Sequence, residues 1–267
     1  MPSGSWRCGN WNTSTPEGDD TDTRKYHHMK LDILVLASHP DDAELGCGGT
    51  VIKHIRAGYK VGVADFTRGE LGTRGTPQTR DREAAESARI LGLSIRENLH
   101  LADGFFQGDR DSQMKVIRVL RKYQPEVVLA NAIKDRHPDH GRGSELAFES
   151  CFLSGLSKIE TTDEAGVLQK AWRPKAVYHY IQSQFIQPDF VIDTTNEWDL
   201  KMEAIRAFKS QFYDASSTEP QTYISKPGFL KMLESRAVEL GHGIGVQYGE
   251  GFVTRRWVGV KSLFDIF

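Results

Sequence analysis

The run Leu31-Asp32-Ile33-Leu34-Val35-Leu36-Ala37 is followed, after a single serine, by His39-Pro40-Asp41-Asp42. A near-continuous apolar stretch of this length reads as a strand buried on both faces, as in a parallel sheet. One imidazole and two carboxylates at the end of such a strand are costly to bury unless something binds them. A divalent cation is the simplest candidate. The segment Gly46-Cys47-Gly48-Gly49 then opens a helical pattern that carries Leu45, Val51, Ile52 and Ile55 on its apolar side and stops at Gly58.

A second cluster, His137-Pro138-Asp139-His140, follows another short apolar run, Val127–Asn131. Between the two clusters, strand and helix patterns alternate. Lys60–Thr67 and Asn98–Leu101 read as strands, and Gln78–Leu91 and Asp111–Tyr123 as helices. In the latter, Val116, Val119, Leu120 and Tyr123 fall at i, i+3, i+4 and i+7. A further helix is expected over Gly143–Leu156. Such alternation implies right-handed crossovers and an α/β fold, here a Rossmann-like three-layer sandwich with a mostly parallel sheet. Ligands of doubly wound sheets bind at the carboxyl ends of the strands where the order reverses. If Leu31–Ala37 and Val127–Asn131 are neighbours at that point, the two clusters face each other across one crevice.

The remainder of the chain is less regular. Val177–Ile181 and Phe190–Ile192 read as strands. Glu197–Phe212 reads as an amphipathic helix with Trp198, Met202, Ile205, Phe208 and Phe212 in its stripe, and Pro227 opens another helix. The glycine-dense segment Gly241–Phe252 reads as a loop near the site or at an interface. Residues 1–28 lack hydrophobic periodicity and are expected to form a disordered N-terminal extension, with a single domain over 29–267. His27-His28 reads as two solvated residues of that tail. The 34 basic and 36 acidic residues nearly cancel, which gives no support to nucleic-acid binding or an anionic membrane surface. No apolar run has the length of a membrane span. The three cysteines, Cys8, Cys47 and Cys151, are no disulfide framework and fit a reducing, cytoplasmic setting.

A hydrolytic zinc site takes three protein ligands and leaves a position open. His39, Asp42 and His140 would make such a set, with Asp41 beside it as general base. His137 suits a general acid or an oxyanion donor. Asp139 would bond His137 and keep it cationic. Ferrous iron or cobalt suits the same donors. A dinucleotide-binding dehydrogenase is disfavoured, because the glycines come late after the strand and lack the G-x-G-x-x-G spacing. A non-catalytic metal-binding protein is disfavoured because each catalytic role has a residue to fill it.

The segments Ala37-Ser38-His39-Pro40-Asp41-Asp42-Ala43-Glu44 and His137-Pro138-Asp139-His140, with Thr67-Arg68-Gly69-Glu70, resemble the signatures of the LmbE-like, or PIG-L, zinc N-deacetylases. The resemblance runs from about Met29 to the end. It implies His39, Asp42 and His140 as ligands of zinc (ferrous iron being possible), Asp41 as base, His137 supported by Asp139 at the oxyanion, and Arg68 as a substrate-binding arginine. Leu101-Ala102-Asp103-Gly104-Phe105-Phe106 and Ile244–Phe252 resemble the bacillithiol-biosynthesis branch. That implies hydrolysis of the acetamide of N-acetylglucosaminyl malate to glucosaminyl malate and acetate. Arginine grips carboxylates bidentately, so Arg68 and Arg136 would face the malate, and Asp103 the sugar; the alternatives are a loop brace with Glu70 for Arg68, a surface ion pair with Asp135 or Asp139 for Arg136, and a buried loop anchor for Asp103. A mycothiol precursor, a chito-oligosaccharide or a glycopeptide acyl group are the alternative substrates. The expected partner is thus a small amino-sugar substrate, and the family resemblance implies a homo-oligomer, possibly a hexamer.

Overall fold

The structure is a computed structural model that describes residues 29–266. The expected extension over residues 1–28, with His27-His28, lies outside the described residues. In chain order the elements are β1 (Ile33–Ala37), α1 (Asp42–Arg56), β2 (Val61–Asp65), α2 (Pro77–Leu91), β3 (Ile95–Asn98), α3 (Arg110–Tyr123), β4 (Val127–Ala130), α4 (Pro138–Leu153), β5 (Ala176–Tyr180), β6 (Phe190–Asp193), α5 (Trp198–Arg206), α6 (Phe229–His242) and β7 (Gly249–Thr254). They build one seven-stranded sheet in the order β3-β2-β1-β4-β5-β7-β6. The first five strands of that order are parallel, and β7 runs antiparallel to both its neighbours. The expected α/β sandwich is therefore present.

β1 is buried throughout, and its side chains divide between two cores. Leu34 and Leu36 pack with Val116 and Leu120 of α3 and Leu146 of α4. Ile33, Val35 and Ala37 pack with Ala43, Cys47 and Val51 of α1. This two-sided burial is why the strand shows no alternation. β1 pairs with β4 in the register Leu36↔Ala130, so the two strands end side by side and both clusters emerge at one edge.

Several boundaries differ from expectation, each for a physical reason. β3 spans Ile95–Asn98 rather than Asn98–Leu101. It is an edge strand that trades apolar residues for Arg96, whose guanidinium pairs with Asp65 and Glu44. Leu99 and Leu101 are buried in the following loop, their N–H groups donating to Asp65 and Phe66 carbonyls. α1 starts at Asp42 and α4 at Pro138, earlier than the apolar periodicity indicates, so both His/Asp clusters belong to helix N-termini. Proline needs no N–H partner in a first turn. α5 stops at Arg206, although Phe208 and Phe212 remain in its core. The end of the expected Gly241–Phe252 loop is the strand β7, its pattern masked by glycine. Among the described residues no helix is long and apolar enough to cross a membrane.

α1 is broken at Cys47, where φ is −145°. The break frees the N–H groups of Gly49 and Thr50, and both donate to the Glu250 carboxylate at 2.8 and 2.7 Å. Lys201 of α5 neutralises Glu250 at 2.7 Å, the two side chains being 2% and 3% exposed. Removing one partner of a buried pair strands the other. Glu250→Ala is therefore expected to lower the unfolding free energy by about 3–5 kcal/mol in denaturant titrations, and a loss under about 1 kcal/mol would contradict this role.

Candidate metal centre and active site

Asp42 opens α1 and is almost fully buried. Its Oδ2 lies 3.3 Å from Nδ1 of His39, and its Oδ1 3.1 Å from Nε2 of His140. The outer nitrogen of each imidazole is held by carboxylates. His39 Nε2 meets Asp103 and Asp139 at 3.1 Å each, and His140 Nδ1 meets Asp135 at 2.7 Å. With the outer nitrogens carrying hydrogen, the inner lone pairs point at the oxygens of Asp42. That arrangement is tolerable only with a cation, proton or metal, between them. It is also the usual support of a metal-bound histidine. His39, Asp42 and His140 thus fit a divalent ion. His39, His137 and His140 also place their ligand atoms within 4.8 Å of one another, as do His39, Asp103 and Asp139.

The charges show what the cluster needs. Burial opposes protonation of both histidines, but the surrounding carboxylates prevail. They hold His39 well above its ordinary value and His140 at about 9. Burial works against ionised Asp42 too, and the two imidazoles overcome it, keeping that carboxyl well below its usual range.

Asp41 is the N-cap of α1, with φ at 119°, a strained conformation for a residue other than glycine. Its side chain caps nothing. Instead Arg80 of α2 pairs with it at 3.3 Å and also donates to the Pro40 carbonyl. Burial raises Asp41 to about 7, against the pull of Arg80. Arg80 is 4% exposed and was not singled out by its sequence context. The loop after β2 passes over the guanidinium at Gly69, whose φ of 64° is a left-handed conformation that favours glycine.

The partnership expected between Asp139 and His137 is not the one observed. The Asp139 carboxylate bonds His39, the Gly104 N–H at 2.8 Å and Arg142 at 2.7 Å. Only the backbone N–H of Asp139 reaches His137, donating to Nδ1 at 3.3 Å as His137 caps α4. Burial, then the neighbouring His39 and His140, lower His137 to about 4. His137 is therefore neutral rather than cationic, and its proton sits on Nε2.

Arg68 also departs from expectation. Its guanidinium pairs with Asp81 of α2 and does not line the cavity. The Thr67-Arg68-Gly69-Glu70 segment acts as a brace: Glu70 accepts the N–H of Arg68 at 3.1 Å and of Asp103 at 2.9 Å. Asp103 lines the cavity, but its oxygens are engaged by His39 and by the Leu71 N–H. Arg136 stands exposed at the cavity wall, stacked 4.0 Å over Tyr223, with no carboxylate partner among the described residues. Asn131 and Gln182, also missed, donate to the two Asp42 oxygens at 3.0 and 2.8 Å. Each is a lone amide just past a strand, with no local pattern to mark it, as Asp135 is a lone carboxylate in a loop.

Comparison with known proteins places this geometry. The family described as PIG-L: GlcNAc-PI de-N-acetylase matches residues 34–151. The structure of a conserved protein from Thermus thermophilus is 34% identical with a TM-score of 0.75, over 86% of this chain and 98% of that one. The N,N'-diacetylchitobiose deacetylase of Pyrococcus horikoshii is 31% identical with a TM-score of 0.71, over 83% and 82%. The 4-carboxy-2-hydroxymuconate hydratase of Pseudomonas putida KT2440 is 25% identical with a TM-score of 0.70, over 88% and 100%. A probable N-acetyl-α-D-glucosaminyl L-malate deacetylase of Bacillus subtilis is more distant, at 23% identity over 200 residues, 68% of this chain and 84% of the relative. The chain belongs to the PIG-L, or LmbE-like, family.

Proposed function

We propose that the protein is a metal-dependent deacetylase of an N-acetylglucosamine-containing substrate. It would hydrolyse the acetamide to acetate and a free amine. What supports this reading is the pair of carboxylate-backed imidazoles converging on Asp42, with Asp41 and His137 beside them. His39, Asp42 and His140 would hold the cation, zinc in the first instance. When bound, it supplies a Lewis acid for the amide carbonyl and an acidified water. Asp41, poised near neutrality, takes the proton of the attacking water and returns it to the departing amine. Arg80 fixes the carboxylate in its strained position. Neutral His137, its Nδ1 occupied by the Asp139 N–H, has Nε2–H to donate to the oxyanion.

Among substrates, the findings favour an N-acetylglucosamine unit such as that of a chito-oligosaccharide over the malate conjugate. Of the motifs behind the bacillithiol expectation, Gly249–Phe252 forms the start of β7, and Asp103 of the other lines the cavity with its oxygens engaged by His39 and the Leu71 N–H. A hydratase is the second reading, because the Pseudomonas enzyme aligns over its whole length. Acetate release by the metal-loaded protein from diacetylchitobiose, N-acetylglucosamine and N-acetylglucosaminyl malate tests the proposal. Loss of a conjugated dicarboxylate's absorbance with no acetate release would favour the hydratase.

Asp41→Asn is expected to keep its metal and to lower kcat by about 10²–10⁴-fold in the acetate assay. An active variant would remove Asp41 as base. Arg68→Ala is expected to leave KM within about twofold of wild type, since its exposed pair with Asp81 lies off the cavity. The pH dependence has a defined sign. The folded pKa of His140 is raised from 6.5 to about 9, so the stability it contributes without metal is complete below 6.5 and lost as pH rises through 9. The melting temperature of the metal-free protein is therefore expected to fall across that window. Zinc affinity should rise over the same window, with protons released on binding in calorimetry. A flat metal-free melting profile would contradict this.

A further inference from the structure

α1 carries Asp42 in its first turn and Asp41 at its cap, yet its backbone is interrupted about one turn later, at Cys47. In an unbroken helix the Gly49 N–H would donate to the Leu45 carbonyl. An ion pair stands in place of that bond. Lys201 of α5 donates to the Leu45 carbonyl at 3.1 Å and to Glu250 Oε1 at 2.7 Å, and the same Oε1 accepts the Gly49 N–H at 2.8 Å. Glu250 Oε2 accepts the next N–H, that of Thr50, at 2.7 Å. Both sides of the interruption are thus completed by side chains from distant elements. The backbone admits them because it lacks side chains of its own there. A Cβ at Gly49 would lie 3.0 Å from Glu250 Oε1 and 2.7 Å from Thr194 Cβ, and one at Gly46 would run into the Tyr180 ring.

A continuous helix would need neither charge, and a buried ion pair is by itself no more stabilising than apolar residues of the same volume. Side chains that enter a helical ladder redirect the helix. This pair therefore sets where the segment Asp42–Gly46 sits against the rest of α1. The strained φ of Asp41 at the start of that segment shows a turn held away from its relaxed geometry. Taking His39, Asp42 and His140 as the ligands of the cation, as in the deacetylase reading, we infer that Lys201 and Glu250 are positioning residues of the metal centre. The inserted pair holds the first turn of α1 so that Asp42 meets both imidazoles. Glu250 thereby gives the glycine-dense C-terminal segment a part in the site.

Zinc titration of the full chain in competition with a chromophoric chelator tests this. Lys201→Met and Glu250→Gln are each expected to weaken zinc binding by about 10–100-fold, the range for losing a group that orients a ligand. A merely electrostatic influence would separate the two variants: removing the lysine cation would tighten zinc, and neutralising the glutamate would loosen it. A merely structural influence would be matched by Leu120→Ala, a core truncation in α3 on the opposite face of the sheet. That variant is expected to lower the melting temperature yet leave zinc affinity within about threefold of wild type. Glu250→Gln keeps the shape of the side chain and one acceptor oxygen, so it reports even if Lys201→Met does not fold. Opposite shifts, unchanged affinity in either variant, or a loss that Leu120→Ala reproduces overturns this inference alone. Wild-type protein that does not bind zinc overturns the metal cradle and this inference with it.

Discussion

Asp42 lies between two imidazoles, and the carboxyl edge of the sheet is built around that placement. Its oxygens stand within 3.3 Å of one histidine and 3.1 Å of the other, while Asn131 and Gln182 donate to them from the next two strands. The contact exists because β1 and β4 are adjacent and parallel. α1 and α4 both begin at this edge, each starting with its cluster in the first turn. α4 comes so close to the end of β1 that a Cβ at Gly143 would run into Ser38 Oγ. Ser38 in turn bonds Asn131 and the Asp139 carbonyl, joining the two halves of the site.

Around this centre the charges are layered. Asp103, Asp139 and Asp135 form an outer ring that orients the imidazoles, and Arg142 neutralises Asp139. Orientation by carboxylates makes the inner nitrogens better ligands and raises their proton affinity in the same stroke. Asp41 and His137 are pushed the other way, towards neutrality, by burial, and His137 also by the positive histidines. A carboxyl near 7 and an imidazole near 4 suit a base and an uncharged hydrogen-bond donor at neutral pH.

Much of this was legible in the sequence, for reasons that also explain what was not. β1 and β4 are visible because strands buried on both faces read as unbroken apolar runs. The residues after them are visible because His and Asp are conspicuous there. Polar β3 and glycine-masked β7 offer no such contrast. Arg80, Asp135, Asn131 and Gln182 each arrive alone from a different element, and only the tertiary fold brings them to Asp41, His140 and Asp42. Arg68 looked like a substrate ligand by its motif, yet α2 presents Asp81 to it at a distance the linear order does not reveal. Asp139 next to His137 invited a pairing that helix geometry forbids. Its side chain leaves the first turn of α4 towards His39, and only its N–H faces His137.

The central claim is that Asp42 with His39 and His140 forms the metal cradle, leaving His137 free to act on the substrate. X-ray absorption spectroscopy of the zinc-loaded protein tests it most directly by counting imidazoles on the ion. The expected spectrum shows two imidazole nitrogens with oxygen ligands, unchanged in His137→Ala. Three imidazoles in the wild type, falling to two in that variant, would contradict the account by placing His137 on the metal.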